Sequence, residues 1–230
     1  MTLIIGIDDA GRGPVLGPMI LAGVLITKEQ EKTIKKVGAK DSKLLSHPQR
    51  IAIAKIIREN SIASKIVKAY PEEIDSSILS GTNLNTLEAK KMAEVINNLN
   101  NRKEKIYVIV DCPSTNITAW RNKLLSFIKS KENLDVKCEH KADFNYTAVS
   151  AASILAKVAR EEEVLKLKKQ FAEYGDVGSG YPSDPVTVAF LKVYGKELTN
   201  SGIFRKTWAT WKSLFPQEAK SKSQKTLKDF

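Results

Sequence analysis

The sequence predicts a mixed α/β fold: a five-stranded sheet flanked by helices, with a helical C-terminal extension. Two observations predict it. Apolar runs of strand length recur through residues 2–139 and alternate with helical patterns from residue 83 onward. After residue 145 only helical patterns remain.

Residues 2–9 (TLIIGIDD) read as a buried first strand. Val15–Ile26 (VLGPMILAGVLI) reads as a second, with Gly17 and Pro18 near its start. A charged helix is predicted over Lys28–Val37. Another spans His47–Glu59, with Ser46 as its N-cap, Pro48 in the first turn and Ile53, Ile56 and Ile57 at helical spacing. Ile62–Ala69 alternates as a third strand. Asn83–Leu99 is the clearest helix, with Leu84, Leu87, Met92, Val95, Ile96 and Leu99 along one face. Lys105–Asp111 (KIYVIVD) is a fourth strand, apolar enough for burial on both faces. A helix carrying Trp120, Leu124, Phe127 and Ile128 follows, then a short strand over Leu134–Glu139. Asn145–Phe171 reads as one long helix, and Asp184-Pro185 as the start of another. Trp208 and Trp211 fall on a basic amphipathic helix, and the residues from Pro216 onward are polar and rich in Lys and Ser, as in a disordered tail.

Composition is that of an ordinary soluble globular chain. No apolar run approaches a membrane span, and MTLIIGIDDAG lacks the basic start of a signal peptide, so no membrane association is expected. Two cysteines, Cys112 and Cys138, exclude a disulfide framework. They fit a reducing, cytoplasmic setting, and both sit near strand ends as expected free thiols. The formal charge of +11 suits a polyanionic partner, though a solvated Lys-rich surface accounts for it equally well.

Four acids stand out by position. Asp8 and Asp9 end the first strand, Asp111 ends the fourth, and Asp143 precedes the long helix. Functional groups in open α/β sheets collect beyond the carboxyl ends of strands. If strands one and four are neighbours, Asp8 and Asp111 share one rim. Carboxylates converging there call for cations bound by hard oxygen donors, such as Mg²⁺ or Mn²⁺. Any one Asp taken alone is an ordinary cap or turn residue. The following Gly11-Arg12-Gly13 combines a backbone that admits close approach with an arginine fork for phosphate. A dinucleotide fingerprint is excluded, because Gly11, Gly13 and Gly17 have the wrong last interval and prolines interrupt.

GIDDAGRGPVLGP (6–18) resembles the opening signature of type 2 ribonuclease H, the ribonuclease HII family, in its archaeal form. KDSKLLS (40–46), NLNTLE (83–88), YVIVDCP (107–113), EHKADFNYTAVSAASILAKVAR (139–160), GSGYPSDP (178–185) and FRKTWATW (204–211) follow in the family's order and spacing. The resemblance covers nearly the whole chain. It implies a ribonuclease H-like catalytic domain over residues 1–172. A helical portion over 173–216 would pack on the catalytic face, and residues 217–230 would form a flexible tail.

The resemblance further implies a monomeric endonuclease acting on RNA/DNA hybrids and on duplex DNA with embedded ribonucleotides. Cleavage falls 5′ to the ribonucleotide and leaves a 3′-hydroxyl and a 5′-phosphate. Two ions, Mg²⁺ or Mn²⁺, would be held by Asp8, Asp9, Asp111 and Asp143, with Asp8 bridging them. The 2′-hydroxyl would be read by backbone groups of Gly11, Arg12 and Gly13. Tyr181 would stack on the deoxyribose just 3′ of the ribonucleotide; from the residues alone it is a turn residue ahead of Asp184-Pro185. Lys43, Lys141, Ser150 and Lys157 occupy motif positions suited to phosphate contacts or the site rim. The small residues of TAVSAASILA (147–156) suit close helix–sheet packing. His140 reads as a partly exposed histidine at a strand end.

One position departs from the family pattern, D-E-x-G-R-G: Asp9 stands where Glu is usual. The charge is kept and the reach shortened by one methylene, which leaves two readings: an active enzyme of lower rate, or a weakened nucleic-acid- and clamp-binding protein of the same fold. Another nuclease or strand-transfer enzyme of this superfold is disfavoured by the GRG and GSGYPSDP segments. In the tail, Gln224, Leu227 and Phe230 fall at i, i+3 and i+6. They resemble the short motif by which replication and repair enzymes bind the sliding clamp, lacking its second aromatic.

Overall fold

A computed structural model describes residues 2–36 and 45–216. They form two compact units. The first comprises residues up to Arg12, Met19–Ala69 and Thr82–Glu161; the second comprises Gly13–Pro18, Tyr70–Gly81 and the residues from Glu162 onward.

The first unit holds a five-stranded sheet of order β3-β2-β1-β4-β5. Strand β1 (Leu3–Ala10) pairs antiparallel with β2 (Met19–Thr27), and β2 pairs antiparallel with β3 (Ala63–Ala69). On its other side β1 pairs in parallel with β4 (Ile106–Asp111), which pairs in parallel with β5 (Leu134–Glu139). This is the mixed sheet expected from the sequence, and it makes β1 and β4 neighbours. Both faces of β1 and β2 are covered, which is why their sequences are nearly continuous apolar runs rather than alternating ones.

Helices α1 (Lys28–Lys36) and α2 (His47–Glu59) fill one face together with α7 (Thr147–Gln170). Ile4, Ile20, Val24 and Ile26 of the sheet pack there with Ile34, Ile53, Ile57 and the small residues of α7, among them Ala148, Ala151, Ala152 and Ala156. Side chains alternate across a strand, so Ile7 faces the other way. That opposite face receives α4 (Leu84–Leu99), capped by Asn83, whose Oδ1 accepts from Thr86 N at 2.9 Å. Helix α5 (Ile117–Phe127) packs beside α4.

Two glycines set these approaches. A Cβ on Gly6 would lie 2.1 Å from the Ala148 carbonyl carbon, so α7 touches the sheet backbone itself. A Cβ on Gly23 would lie 2.5 Å from Val95 Cγ1 of α4 and 2.7 Å from Ile7 Cδ1. The small residues of TAVSAASILA thus serve close packing, as their composition suggests.

The second unit contains α3 (Pro71–Leu79), a 3₁₀ turn at Ala172–Tyr174, α8 (Pro185–Tyr194) and α9 (Ala209–Leu214). Its core gathers Val15, Leu16, Phe171, Val177, Phe190, Leu191, Ile203, Phe204 and Trp211. The Phe204 and Trp211 rings lie 4.9 Å apart. Asp75 of α3 accepts from Lys206 N at 2.7 Å, Thr207 N at 3.0 Å and Thr207 Oγ1 at 2.6 Å.

Four elements differ from the sequence reading. The apolar run Val15–Ile26 is not one strand: β2 starts at Met19, while Val15 and Leu16 belong to the other core. Pro14 and Pro18 cannot donate to a ladder, and Gly17 sits at φ 81°, so the chain turns there. The long helix predicted over Asn145–Phe171 starts two residues later, as α7, and a separate short helix, α6 (Ala142–Asn145), precedes it across the extended residue Tyr146. Trp208 caps α9 rather than lying within it, and only Trp211 is fully packed. Helix α3, begun by Pro71, has no counterpart in the sequence reading. Among the described residues, no helix is long and apolar enough to cross a membrane.

The two glycines give a graded expectation for stability. Gly6→Ala drives a methyl into backbone that cannot yield, and should cost ~3 kcal/mol or more. Gly23→Ala meets only side-chain ends and should cost about 1–3 kcal/mol. Urea unfolding of the two variants measures the difference.

Candidate active site

In the first unit, β1 and β4 run in parallel with Ile7 opposite Val110. Asp8 and Asp111 are the next residues along each strand, so their carboxylates stand at one rim. Asp8 is almost wholly buried, with Asp9 N donating to its Oδ1 at 2.7 Å. Burial foremost, then the Asp9 charge, raises the Asp8 carboxyl well above the ordinary carboxylate range; Asp111 adds to this, and the Ser153 hydroxyl on α7 opposes it. The close approach of α7 at Gly6 brings that hydroxyl to Asp8.

Asp143 lies buried on α6. The two halves of the acid set are linked through Asp111, whose Oδ1 accepts from Ala142 N at 2.8 Å. Lys141, just before, takes a left-handed conformation (φ 57°) that turns the chain from β5 into α6. His140 is exposed after the end of β5, and its Nδ1–H donates to Cys112 O at 2.9 Å.

Asp9 is turned toward a residue that sequence reasoning did not assign. Glu88 of α4 is fully buried and its Oε2 accepts from Arg12 Nε at 2.9 Å. Asn85 Oδ1, one turn earlier, accepts from Arg12 Nη2. Desolvation and then the Glu88 charge raise the Asp9 carboxyl well above its usual range, against the pull of Arg12. Burial likewise raises Glu88, although Arg12 lowers it. A signal for Glu88 did exist. It falls on the i, i+4 stripe with Leu84, Met92 and Ile96, where a lone carboxylate needs a buried partner. The Arg12 guanidinium is thus paired with Glu88 and Asn85 while its side chain stays 38% exposed.

Cys112 and Cys138 are buried free thiols. Burial pushes Cys112 up and, with Cys112 nearby, Cys138 to about 12, so both stay protonated and unreactive. Ser150 is buried in α7; Lys157, seven residues on, is half-buried, and Lys141 is exposed. Lys43, Gln224, Leu227 and Phe230 lie outside the described residues.

In the second unit, Tyr181 is 42% exposed and lies against Gly13, where an added Cβ would meet its ring at 3.7 Å. Gly13 O accepts from Trp208 Nε1 at 3.1 Å. The preceding Arg205 is wholly buried: its backbone N donates to Val15 O at 2.8 Å, its Nε to Gly17 O at 2.9 Å, and its guanidinium rests over the Trp208 ring. The loop before Tyr181 is fixed by Asp184, which accepts from Ser179 N at 2.6 Å and Val186 N at 3.0 Å. The Ser179 bonds hold the Asp184 carboxyl down at about 2.

Among the described residues, no three His, Cys, Asp or Glu side chains are drawn together into a group that could hold a metal ion. Asp9 rests on Glu88 and Asp111 on the Ala142 N–H, the spread expected of acids that repel one another. The donor set consists of carboxylate oxygens alone, and its charges are mutually unfavourable, so its chemistry fits a hard divalent cation.

A five-stranded mixed sheet with acids at the ends of its two central parallel strands defines a ribonuclease H-like fold. The Ribonuclease HII family model matches residues 5–211. A ribonuclease HII from Methanococcus maripaludis is 42% identical over 223 residues, covering 96% of this chain and 90% of the relative. The crystal structure of ribonuclease H2 from Pyrococcus horikoshii OT3 superposes with a TM-score of 0.82 at 33% identity, over 94% of this chain and 98% of that one. The ribonuclease HII of a PCNA complex from Archaeoglobus fulgidus superposes at 0.75 with 37% identity, over 90% and 95%. The chain belongs to the ribonuclease HII family, and it is a ribonuclease H enzyme.

The raised Asp8 carboxyl predicts the pH dependence of the metal-free protein. A carboxyl whose folded pKa lies above its unfolded value binds protons more tightly when folded, so stability falls as pH rises between the two values. Asp8→Asn removes that cost. In EDTA it should stabilise the protein at pH 7 and have less effect at acid pH, where the wild-type carboxyl is protonated in both states, as read from urea unfolding at each pH.

Proposed function

We propose that the enzyme hydrolyses the phosphodiester on the 5′ side of a ribonucleotide, in RNA/DNA hybrids and in duplex DNA with embedded ribonucleotides. The products would be a 3′-hydroxyl and a 5′-phosphate. The observation that carries this reading is the pairing of Asp8-Asp9 on β1 with Asp111 on β4, burial and repulsion holding two of these carboxyls high. Asp143, tied to Asp111 through Ala142 N, completes the set.

Asp8, Asp9, Asp111 and Asp143 would hold two divalent ions, Mg²⁺ or Mn²⁺. Such ions supply a water acidic enough to attack phosphorus at neutral pH and a counter-charge for the leaving oxygen. The chain's own part is to hold these oxygens in place, three on strand ends and that of Asp143 on α6. No protein general acid or base is required, which suits a chain whose only histidines are His47 and His140.

Recognition of the ribonucleotide requires groups that read a 2′-hydroxyl. Gly11, Arg12 and Gly13 follow Asp9 after Ala10. Glu88 and Asn85 fasten the Arg12 side chain. Tyr181, against Gly13, offers an exposed ring to stack on the deoxyribose 3′ of the ribonucleotide. Lys43, Lys141 and Lys157 are assigned to phosphates, and the buried Ser150 to the site rim. The relative from A. fulgidus is found in complex with PCNA. This supports reading Gln224, Leu227 and Phe230 as the segment by which the present chain engages a sliding clamp.

The product map from a duplex with one ribonucleotide tests the reaction. Wild type should cut once, 5′ to the ribonucleotide, and Asp111→Asn should lower the rate by at least 10³-fold while duplex binding is kept; turnover at the wild-type rate would overturn the site.

A second reading rests on Asp9, whose carboxylate lies on Glu88 and Arg12 and is one methylene shorter than the Glu usual in the family pattern. In that reading the chain binds duplex and clamp with weakened catalysis. An Asp9→Glu variant assayed in Mg²⁺ and in Mn²⁺ separates the two. A rise of about 10-fold, larger in Mg²⁺, is expected if reach limits the rate; no activity in either variant with either ion favours the binding protein.

A further inference from the structure

Asp143 sits on α6, a helix of four residues that is too short to hold its own shape. Its place is therefore set by what fastens the segment at each end. On the N-terminal side, Ala142 N donates to Asp111 Oδ1 at 2.8 Å, at the tip of β4. On the C-terminal side, the fastener is Glu139, the last residue of β5.

Glu139 collects three side-chain partners. Its Oε1 accepts from Asn145 Nδ2 at 2.8 Å, and its Oε2 accepts from Tyr146 Oη at 3.0 Å and from Lys137 Nζ at 2.6 Å. Lys137 Nζ also reaches Tyr146 Oη at 2.6 Å and stands over that ring. Asn145 and Tyr146 are the two residues that close α6 and turn the chain into α7. The Glu139 backbone is itself anchored, since its carbonyl accepts from Cys112 N at 3.0 Å, beside Asp111. One residue thus ties the far side of the Asp143 turn to the strand end, next to the strand end that ties its near side.

This network lies at the protein surface, and the Lys137 side chain is 57% exposed. Lys137 and Tyr146 line an open pocket of about 680 Å³. Exposed ion pairs add little to folding stability. A bidentate carboxylate with partners on both residues after Asp143's neighbour does, however, restrict where that turn can move. Groups that orient a metal ligand from outside commonly change affinity or rate by 10- to 100-fold when removed.

We propose that Glu139 is a positioning residue, holding α6 so that the Asp143 carboxylate is presented to the Asp8–Asp111 rim. The proposal rests on Asp143 belonging to the carboxylate site. The test compares Glu139→Ala, Glu139→Gln and Asp143→Asn in the full-length protein. Three quantities are read: the single-turnover rate on a duplex with one ribonucleotide, Mn²⁺ binding by electron paramagnetic resonance, and the melting temperature in EDTA.

Glu139→Ala should lower the rate about 10-fold and weaken Mn²⁺ binding several-fold, with the melting temperature unchanged. Glu139→Gln keeps an acceptor for Asn145 and a partner for Tyr146, and should recover most of both losses. Glu139→Ala with a wild-type rate and wild-type Mn²⁺ binding overturns the proposal. So does a rate loss that only follows a lower melting temperature while Mn²⁺ binding is kept. Asp143→Asn at the wild-type rate would instead remove Asp143 from the site, a failure of the functional reading that the Glu139 variants alone would not mimic.

Discussion

Electrostatic repulsion at one end of the sheet is the constraint around which the first unit is organised. Asp8, Asp9 and Asp111 bring negative charge into a place with little water, and Glu88 adds to it from α4. A fold tolerates this only if rigid elements prevent the acids from swinging out to solvent. The largely buried strands β1 and β2 provide that rigidity, and α7 adds to it by touching the backbone of β1 at Gly6. The raised carboxyls are thus a consequence of placement, and the same repulsion would favour a divalent cation.

Partial compensation within the protein is equally telling. Arg12 neutralises part of the Glu88 and Asp9 charge and is in turn fixed by Asn85. Its guanidinium is thereby held on α4 at the end of β1. In the second unit the same economy recurs. The buried Arg205 binds the carbonyl of Gly17, and Trp208 binds that of Gly13, so aromatic and guanidinium groups hold a loop with almost no side chains of its own. Backbone recognition of a ligand needs this kind of support, because glycines contribute no packing to fix themselves.

Much of the fold was legible because burial on both sheet faces leaves an unmistakable record. Runs such as LIIGI and IYVIV can be little else than central strands, and Asp8-Asp9 and Asp111 were conspicuous for ending them. What misled was continuity of hydrophobicity. Val15 and Leu16 are as apolar as the strand that follows, yet they serve a different core, and only the proline and glycine between them mark the division.

Local sequence by itself determined the strands, the principal helices and the acids at the strand ends, because periodicity and charge position are encoded within a few neighbouring residues. Tertiary structure decided which groups meet. Glu88 lies 79 residues from Asp9 and joins it only because α4 crosses the face of β1. Ala142 N reaches Asp111 only because β5 ends beside β4. Such encounters depend on how elements pack, and no spacing along the chain records them.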